Sequence, residues 1–133
     1  MWRILVVDDD DNERELFAQI LQGKAKCDLA KNGREAISAY NLSIREKKSY
    51  DLILLDIMLP DMSGIEVLDS IREKEKRVGV VKQRKIPVIM VTAKAEKDVV
   101  LEACRKGCND YMIKPVDNHI LLEKIEKTLK KKL

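Results

Sequence analysis

The chain has 133 residues, the size of one domain with a single hydrophobic core. Charged residues make up 37% of the sequence, but 26 basic and 23 acidic side chains leave a net charge of only +3. Such a balance does not require a nucleic acid or a membrane surface as a partner. No apolar run approaches the roughly 18 residues of a membrane span. We therefore expect neither kind of partner.

The three cysteines are Cys27, Cys104 and Cys108, with no CxxC pair and no signal peptide. This pattern predicts reduced thiols and a cytoplasmic location. Cys104 and Cys108 are four residues apart, but Gly107 lies between them and the only histidine, His119, is distant. We therefore favour small buried residues over a metal site for this pair.

Apolar and amphipathic segments form five pairs along the chain, each a short strand followed by a helix. Strands are predicted at residues 2–7, 25–30, 52–55, 86–91 and 110–113, and helices at 12–22, 34–46, 64 onward, 96–106 and 118 onward. Gly23 and Gly107 follow the first and fourth helices as terminators, and Asp117 caps the fifth. Strict alternation predicts an α/β fold, a doubly wound parallel sheet with right-handed crossovers and helices on both faces. One domain, residues 1–133, accounts for all five pairs, and no output domain is expected.

The apolar pattern also predicts which segments are buried. Residues 52–55 are a continuous apolar run, as in a strand buried on both faces, whereas residues 25–30 are less apolar and suit a sheet edge. Residues 73–85 form a long charged connector, whose first part is expected to extend the third helix to Gly79. The helix residues expected to face inward are Leu16, Phe17, Ile20 and Leu21, then Ala36, Ile37, Tyr40 and Ile44, then Ile65, Leu68 and Ile71, and finally Leu121, Ile125 and Leu129.

Polar side chains stand at the carboxyl ends of four predicted strands. Asp8 and Asp9 follow the first strand, Asp56 the third, Thr92 the fourth and Lys114 the fifth. In a sheet of order 2-1-3-4-5, the first and third strands meet at the switch point, where the three carboxylates converge in one crevice. Carboxylates that close repel one another unless a cation is present. Hard oxygen ligands of this kind suit Mg²⁺.

A cation, a lysine and a hydroxyl around one carboxylate fit phosphoryl transfer, where catalysis consists of positioning and charge neutralisation. Asp56 would be the nucleophile and form an aspartyl-phosphate. Each residue alone also has a structural explanation, as a turn residue, a strand end or a solvated charge, and Asp10 and Asp11 are better explained as helix caps. The shared sheet edge of the strand-end residues favours a functional site.

Four segments, in order along the chain, resemble the receiver domain of two-component response regulators. They are ILVVDDD (4–10), DLILLDIMLPDMSGIEVL (51–68), IPVIMVTA (86–93) and GCNDYMIKPVD (107–117). The similarity is to the stand-alone, single-domain type, and it implies the flavodoxin-like (βα)5 fold. Residues 34–50 and the connector at 73–85 are longer than in compact receivers, but neither touches the expected site.

The resemblance implies a role for each matching residue of the acidic crevice. Asp56 matches the phosphoacceptor, and Asp8 and Asp9 match the acidic pair that holds Mg²⁺, with Mn²⁺ as a substitute. Met58 matches the position whose backbone carbonyl binds the metal. Met58 and Lys94 also occupy the two positions that tune the lifetime of the phosphorylated state in this family.

The remaining matches concern the phosphoryl group and the response to it. Thr92 and Lys114 match the residues that bind the phosphoryl oxygens. Tyr111 matches the switch aromatic, which turns inward when the threonine moves toward the phosphoryl group. Ala93 matches a small residue that leaves the group accessible, and the bond from Lys114 to Pro115 is commonly cis in the family.

The resemblance also implies partners. The phosphoryl donor would be a histidine kinase or a histidine phosphotransfer protein. The output would be a protein that reads the face formed by the fourth helix, fifth strand and fifth helix. The chain would be a monomer or a phosphorylation-dependent homodimer, and a signalling switch that catalyses only its own phosphorylation and dephosphorylation, not a classical enzyme.

Specific residues bear on two other functions, a phosphatase and a binding module that acts as a phosphate-independent scaffold or on nucleic acid. A haloacid-dehalogenase-like phosphatase also forms an aspartyl-phosphate, but it needs a second Asp two residues after the nucleophile, where this chain has Met58. The lysine-rich end of the chain suggests a nucleic-acid binder, although cations also suit the carboxyl end of a helix. Those lysines are Lys127, Lys130, Lys131 and Lys132.

Overall fold

The structure is a computed structural model and describes residues 1–93 and 96–132. A five-stranded sheet of order β2-β1-β3-β4-β5, with every neighbouring pair parallel, confirms the predicted topology. The strands are β1 (Trp2–Val7), β2 (Ala25–Ala30), β3 (Leu52–Asp56), β4 (Val88–Thr92) and β5 (Asp110–Ile113). The helices are α1 (Asp11–Leu21), α2 (Gly33–Arg45), α3 (Gly64–Val78), α4 (Lys97–Arg105) and α5 (Asn118–Lys132).

Two apolar clusters cover the two faces of the sheet. One packs the strands against α2, α3 and α4, and the other packs them against α1 and α5. Alternate residues of one strand belong to opposite clusters, because successive side chains of a strand point to opposite faces of the sheet. Ile53 and Leu55 belong to the first cluster, while Leu52 and Leu54 belong to the second. This double burial is the reason for the continuous apolar run of β3.

Most of the predicted helix faces are confirmed, including Leu121, Ile125 and Leu129 of α5. The prediction for Leu16 is wrong, because this side chain is 43% exposed. The buried residues of α1 are Phe17 and Leu21, which stand one above the other at i and i+4. Leu16 lies on the flank of that stripe and does not reach the sheet.

The charged connector differs in part from its prediction. Its first part does extend α3, which ends at Gly79 with a left-handed φ of 75°. A short 3₁₀ turn at Lys82–Arg84 follows. β4 begins at Val88, two residues later than predicted, because the Ile86 N–H donates to a side chain of α3 and not to a neighbouring strand.

That side chain is Glu75, which is only 1% exposed although it belongs to the charged connector. Its Oε2 accepts the Ile86 N–H at 2.7 Å, and its Oε1 accepts Nη1 of Arg72 at 2.7 Å. The Arg72 guanidinium also donates to the carbonyl of Gly107 at 2.7 Å. The pair therefore ties the end of α3 to the start of β4 and to the loop before β5, at the edge of the sheet opposite its carboxyl ends.

The described part of the chain contains no helix with the length and apolar character needed to cross a bilayer.

Replacing Glu75 with Ala is expected to lower the free energy of unfolding by about 3 kcal/mol, because it leaves a partly buried guanidinium and a backbone N–H without their acceptor. Urea denaturation measures this loss. Glu73→Ala is the matched control in the same helix: Glu73 is exposed, and its loss should cost no more than about 0.5 kcal/mol. Equal effects of the two changes would contradict the structural role of Glu75.

Candidate functional site

The turn after β1 places the first two acidic residues. Asp8 is 1% exposed, whereas Asp9 is exposed. Asp10 caps α1, as predicted, because its Oδ1 accepts the N–H groups of Asn12 and Glu13 at 2.8 and 3.1 Å. The cap fixes where the helix begins, and with it the direction in which the chain leaves the sheet.

Asp8 is held by hydrogen bonds to its backbone and to its side chain. Its N–H donates to the carbonyl of Ala30 at 3.1 Å, and its own carbonyl accepts Nη1 of Arg14 at 2.6 Å. The Asp8 Oδ1 accepts the Asp10 N–H at 3.0 Å. The other carboxylate oxygen, Oδ2, is thereby directed toward the crevice between β1 and β3.

Asp56 is the last residue of β3 and is 4% exposed. Its Oδ1 accepts the Met58 N–H at 3.1 Å. Gly64, at the start of α3, packs directly on the carbonyl of Asp56: a Cβ at Gly64 would lie 2.0 Å from that oxygen. The Gly64 N–H also donates to the Ile57 carbonyl at 2.7 Å. The helix start therefore fixes the backbone of Asp56, and glycine is required there.

The loop after Asp56 has a second support, which the sequence did not predict. The Asp61 carboxylate accepts the N–H groups of Gly33 and Arg34 at 2.8 and 2.9 Å. The hydrogen bond from Gly33 contributes most to lowering the pKa of Asp61, and the one from Arg34 contributes next. Met58 pairs with Ser63 across the same loop, while its side chain is 61% exposed. A lone Asp in a polar loop gives no sequence signal for such a contact, because its partner is 28 residues away in α2.

Lys114 supplies the positive charge of the site. Its Nζ lies 2.8 Å from Asp8 Oδ2 and 2.8 Å from Asp56 Oδ2, and it also contacts Glu13 Oε2. The burial of Lys114 lowers the pKa of its ammonium, but the hydrogen bonds to Asp56, Asp8 and Glu13 outweigh this and leave the pKa raised. Lys114 is therefore charged and joins three acidic residues.

The pKa values of two carboxyl groups around Lys114 are also shifted. Burial raises the pKa of Asp56, and the charge of Asp8 adds to this, whereas Lys114 and the Met58 N–H oppose it. Burial and the Asp8 carboxylate also raise the pKa of Glu13. Burial is the largest cause of both shifts, and the neighbouring Asp8 carboxylate adds to them. Glu13 is a member of this site that the sequence did not predict, although its place in the first turn of the helix after Asp9 was a usable signal.

Asp8, Asp9 and Asp56 form the only cluster of three or more potential metal ligands found within residues 1–93 and 96–132. One oxygen of each carboxylate lies within 4.8 Å of the others. Three carboxylates, with Glu13 beside them, exceed the single charge of Lys114. A divalent cation with oxygen ligands fits this donor set, as the sequence led us to expect.

The structure also places the predicted switch residues. Thr92 is the last residue of β4, is 2% exposed, and its carbonyl accepts the Lys114 N–H at 2.8 Å. Ala93 is exposed, and Lys94 lies outside the described residues. Tyr111 is 40% exposed on β5 and borders a surface depression of about 330 Å³. The peptide bond between Lys114 and Pro115 is cis, as the resemblance implied.

Cys104 and Cys108 are separate from this site. Cys104 is exposed, so its expected burial is wrong, whereas Cys108 is partly buried. Burial and the neighbouring Cys104 thiol raise the pKa of Cys108 to about 12. Within the described part of the chain, neither thiol belongs to a cluster of three metal-ligating side chains.

Comparison with known proteins identifies the family. A sequence model of the response regulator receiver domain matches residues 4–126. The chain belongs to this family. The regulatory protein AtoC of Escherichia coli is 42% identical over 118 residues, which are 86% of this chain and 22% of AtoC. The chain spans about half the length of other curated relatives that it matches.

Solved structures agree with this assignment. A CheY-like receiver domain protein from Methanospirillum hungatei is 32% identical, with a TM-score of 0.82 over 99% of this chain and 96% of the other. The receiver domain of a sensor histidine kinase from Pseudomonas aeruginosa, with magnesium in its active-site cleft, is 25% identical, with a TM-score of 0.79 over 97% of this chain and 98% of the other. This receiver domain is thus a phosphorylation-activated signalling switch by family and by fold.

Replacing Gly64 with Ala is expected to lower the free energy of unfolding by about 1–3 kcal/mol and to slow modification of Asp56, because the new methyl group displaces the Asp56 carbonyl. Gly79→Ala is the control: Gly79 has open space around it, so only its left-handed backbone costs about 1 kcal/mol. Urea denaturation and the rate of phosphorylation by acetyl phosphate measure the two effects. An unchanged rate in Gly64→Ala would show that the close packing does not position Asp56.

Proposed function

We propose that this receiver domain accepts a phosphoryl group on the carboxylate of Asp56 from a phosphohistidine of a histidine kinase or phosphotransfer protein. The observation that carries the proposal is the arrangement around Asp56. A buried carboxylate at a strand end has the Lys114 ammonium at 2.8 Å, and one oxygen each of Asp8 and Asp9 lies within 4.8 Å of it and of one another. Such a crevice combines a nucleophile, a fixed cation and a place for a metal.

In the transfer, a carboxylate oxygen of Asp56 forms a bond to phosphorus while the phosphorus–nitrogen bond of the donor breaks. The leaving imidazole nitrogen takes up a proton from solvent. Lys114 neutralises charge on the transferred oxygens, and Thr92 donates its hydroxyl to one of them. Hydrolysis later returns Asp56 to the free carboxylate, with water as the acceptor.

Asp8, Asp9, Asp56 and the backbone carbonyl of Met58 would hold Mg²⁺ in this scheme. When bound, the ion neutralises the negative charge that gathers on the phosphoryl oxygens. Mn²⁺ prefers the same oxygen ligands and would substitute for it. The excess of carboxylates over Lys114 supports this assignment.

We further propose that the signal passes from Thr92 and Tyr111 to the surface formed by α4, β5 and α5. Movement of Thr92 toward the phosphoryl group frees space that the exposed Tyr111 ring fills, which changes the face that a protein partner reads. Binding of that partner, or of a second copy of this chain, would be the output. Residues 1–133 would act as one cytoplasmic receiver unit, without contacts to nucleic acid.

The side chain two residues after Asp56 supports a signal over rapid turnover. A phosphatase of the haloacid-dehalogenase type uses a carboxylate there to activate water, whereas the exposed thioether of Met58 has no acid or base group. The chain would therefore catalyse only its own phosphorylation and dephosphorylation. A general phosphomonoester such as p-nitrophenyl phosphate should not be turned over appreciably.

Incubation with acetyl phosphate and Mg²⁺ is expected to add the mass of one phosphoryl group to the wild-type chain and none to Asp56→Asn, which lacks the nucleophilic oxygen. Intact-protein mass spectrometry makes the measurement. Asp69→Asn is the matched control, because Asp69 lies on α3 with a side chain 49% exposed. Its modification should equal that of the wild type. An unmodified wild type, or a modified Asp56→Asn, would refute the assignment.

Replacing Asp9 with Asn is expected to weaken Mg²⁺ binding by at least about tenfold, since one of three carboxylates loses its charge and even outer-shell partners have effects of that size. Calorimetric titration with MgCl₂ measures it. Asp9 is exposed, so the fold should tolerate the change. Asp11→Asn, on the exposed side of the first helical turn, is the control and should bind Mg²⁺ as the wild type does. Equal affinity in all three proteins would exclude Asp9 as a ligand.

A further inference from the structure

Glu13 brings a fourth carboxylate to the phosphorylation site. It lies in the first turn of α1, where the Asp10 cap fixes its backbone N–H at 3.1 Å from Asp10 Oδ1. From there its side chain crosses to Lys114 and forms an ion pair with Nζ. The Lys114 side chain is only 13% exposed, so this contact is shielded from solvent on the lysine side.

The inner oxygen of the Glu13 carboxylate is shielded from solvent. Oε2 is buried and contacts the Lys114 ammonium, although the side chain as a whole is 36% exposed. A buried carboxylate oxygen is costly unless a cation is near. The ion pair with Lys114 supplies that cation, so Glu13 is held toward the crevice that contains Asp8 and Asp56.

The contact between Glu13 and Lys114 matters because the ammonium has a limited number of hydrogen-bond donors. An ammonium group has three N–H donors, and here three carboxylates surround it: Asp8 and Asp56, each at 2.8 Å, and Glu13. A phosphoryl oxygen that approaches Lys114 therefore competes with these carboxylates for its N–H donors. In the proposed function Asp8 and Asp56 belong to the metal and phosphoryl chemistry, whereas Glu13 is the acceptor on Lys114 that has no part in it and can leave without disturbing it.

We propose that Glu13 is a positioning residue that competes with the phosphoryl group for Lys114 while adding to the negative charge that attracts the divalent cation. This inference rests on the proposed function of Asp56. Glu13 keeps Lys114 directed into the crevice before phosphorylation and resists the binding of an anion there. The negative charge of Glu13 therefore strengthens the binding of the divalent cation and weakens the binding of the phosphoryl group.

Removing the charge of Glu13 should therefore change the affinities for Mg²⁺ and for a phosphoryl mimic in opposite directions. Glu13→Gln keeps the size of the side chain but not its charge, so it should weaken Mg²⁺ binding about threefold or more, by the loss of a nearby carboxylate. At saturating Mg²⁺ it should strengthen the binding of beryllofluoride, a phosphoryl mimic, by a similar factor. A purely structural role would lower stability or weaken both ligands together.

The test compares wild type, Glu13→Gln and Glu15→Gln. Glu15 lies on the exposed side of the same helix and gives the same change of net charge. Calorimetry measures Mg²⁺ alone and then beryllofluoride at saturating Mg²⁺, and urea denaturation checks that all three proteins are folded. The inference predicts weaker Mg²⁺ binding and tighter beryllofluoride binding in Glu13→Gln, with Glu15→Gln like the wild type.

Three results would overturn it: unchanged affinities in Glu13→Gln, a change of both affinities in the same direction, or equal changes in Glu15→Gln. Failure of the proposed function itself gives a different result, because the wild type would then take no phosphoryl group from acetyl phosphate. A wild type that is phosphorylated on Asp56 while Glu13→Gln binds both ligands normally would refute only the role of Glu13.

Discussion

The site depends on one constraint, the concentration of carboxylates around a single ammonium at the carboxyl edge of the sheet. Lys114 is 106 residues from Asp8 and 58 from Asp56 along the chain, yet its Nζ lies 2.8 Å from both. The parallel sheet brings such distant residues to one edge, since every one of its strands ends there. The excess of negative charge at that edge fits a divalent cation, and the proposed phosphoryl chemistry is built on the same group of side chains.

The structure separates this charged edge from the part that stabilises the fold. Two apolar clusters cover the faces of the sheet, and Glu75 with Arg72 ties α3 to β4 at the opposite edge. A buried ion pair of this kind is costly to break but does not touch the phosphoacceptor. The carboxyl edge can therefore keep mutually repelling groups, because stability comes from elsewhere in the molecule.

Fixed backbone geometry links the two parts. Gly64 packs on the Asp56 carbonyl, and Asp61 holds the intervening loop against the start of α2. The backbone of Asp56 and the loop after it are thus held by the starts of α3 and α2, whose N–H groups are available for such bonds. Tyr111, in contrast, is 40% exposed on β5.

The family resemblance implied the order of the strands. The sequence by itself determined the alternation of strands and helices, the burial of β3 and the strand-end positions of Asp8, Asp56, Thr92 and Lys114. It could do so because these depend on local periodicity and on the rules of parallel sheets. Only the tertiary structure decided that Glu75 is buried, that Leu16 is exposed, that Asp61 braces a distant helix and that Glu13 reaches Lys114. The contacts of Glu75, Asp61 and Glu13 depend on partners that are distant in sequence, and local periodicity does not specify such partners. The exposure of Leu16 depends on how α1 is rotated against the sheet, which the packing of Phe17 and Leu21 decides.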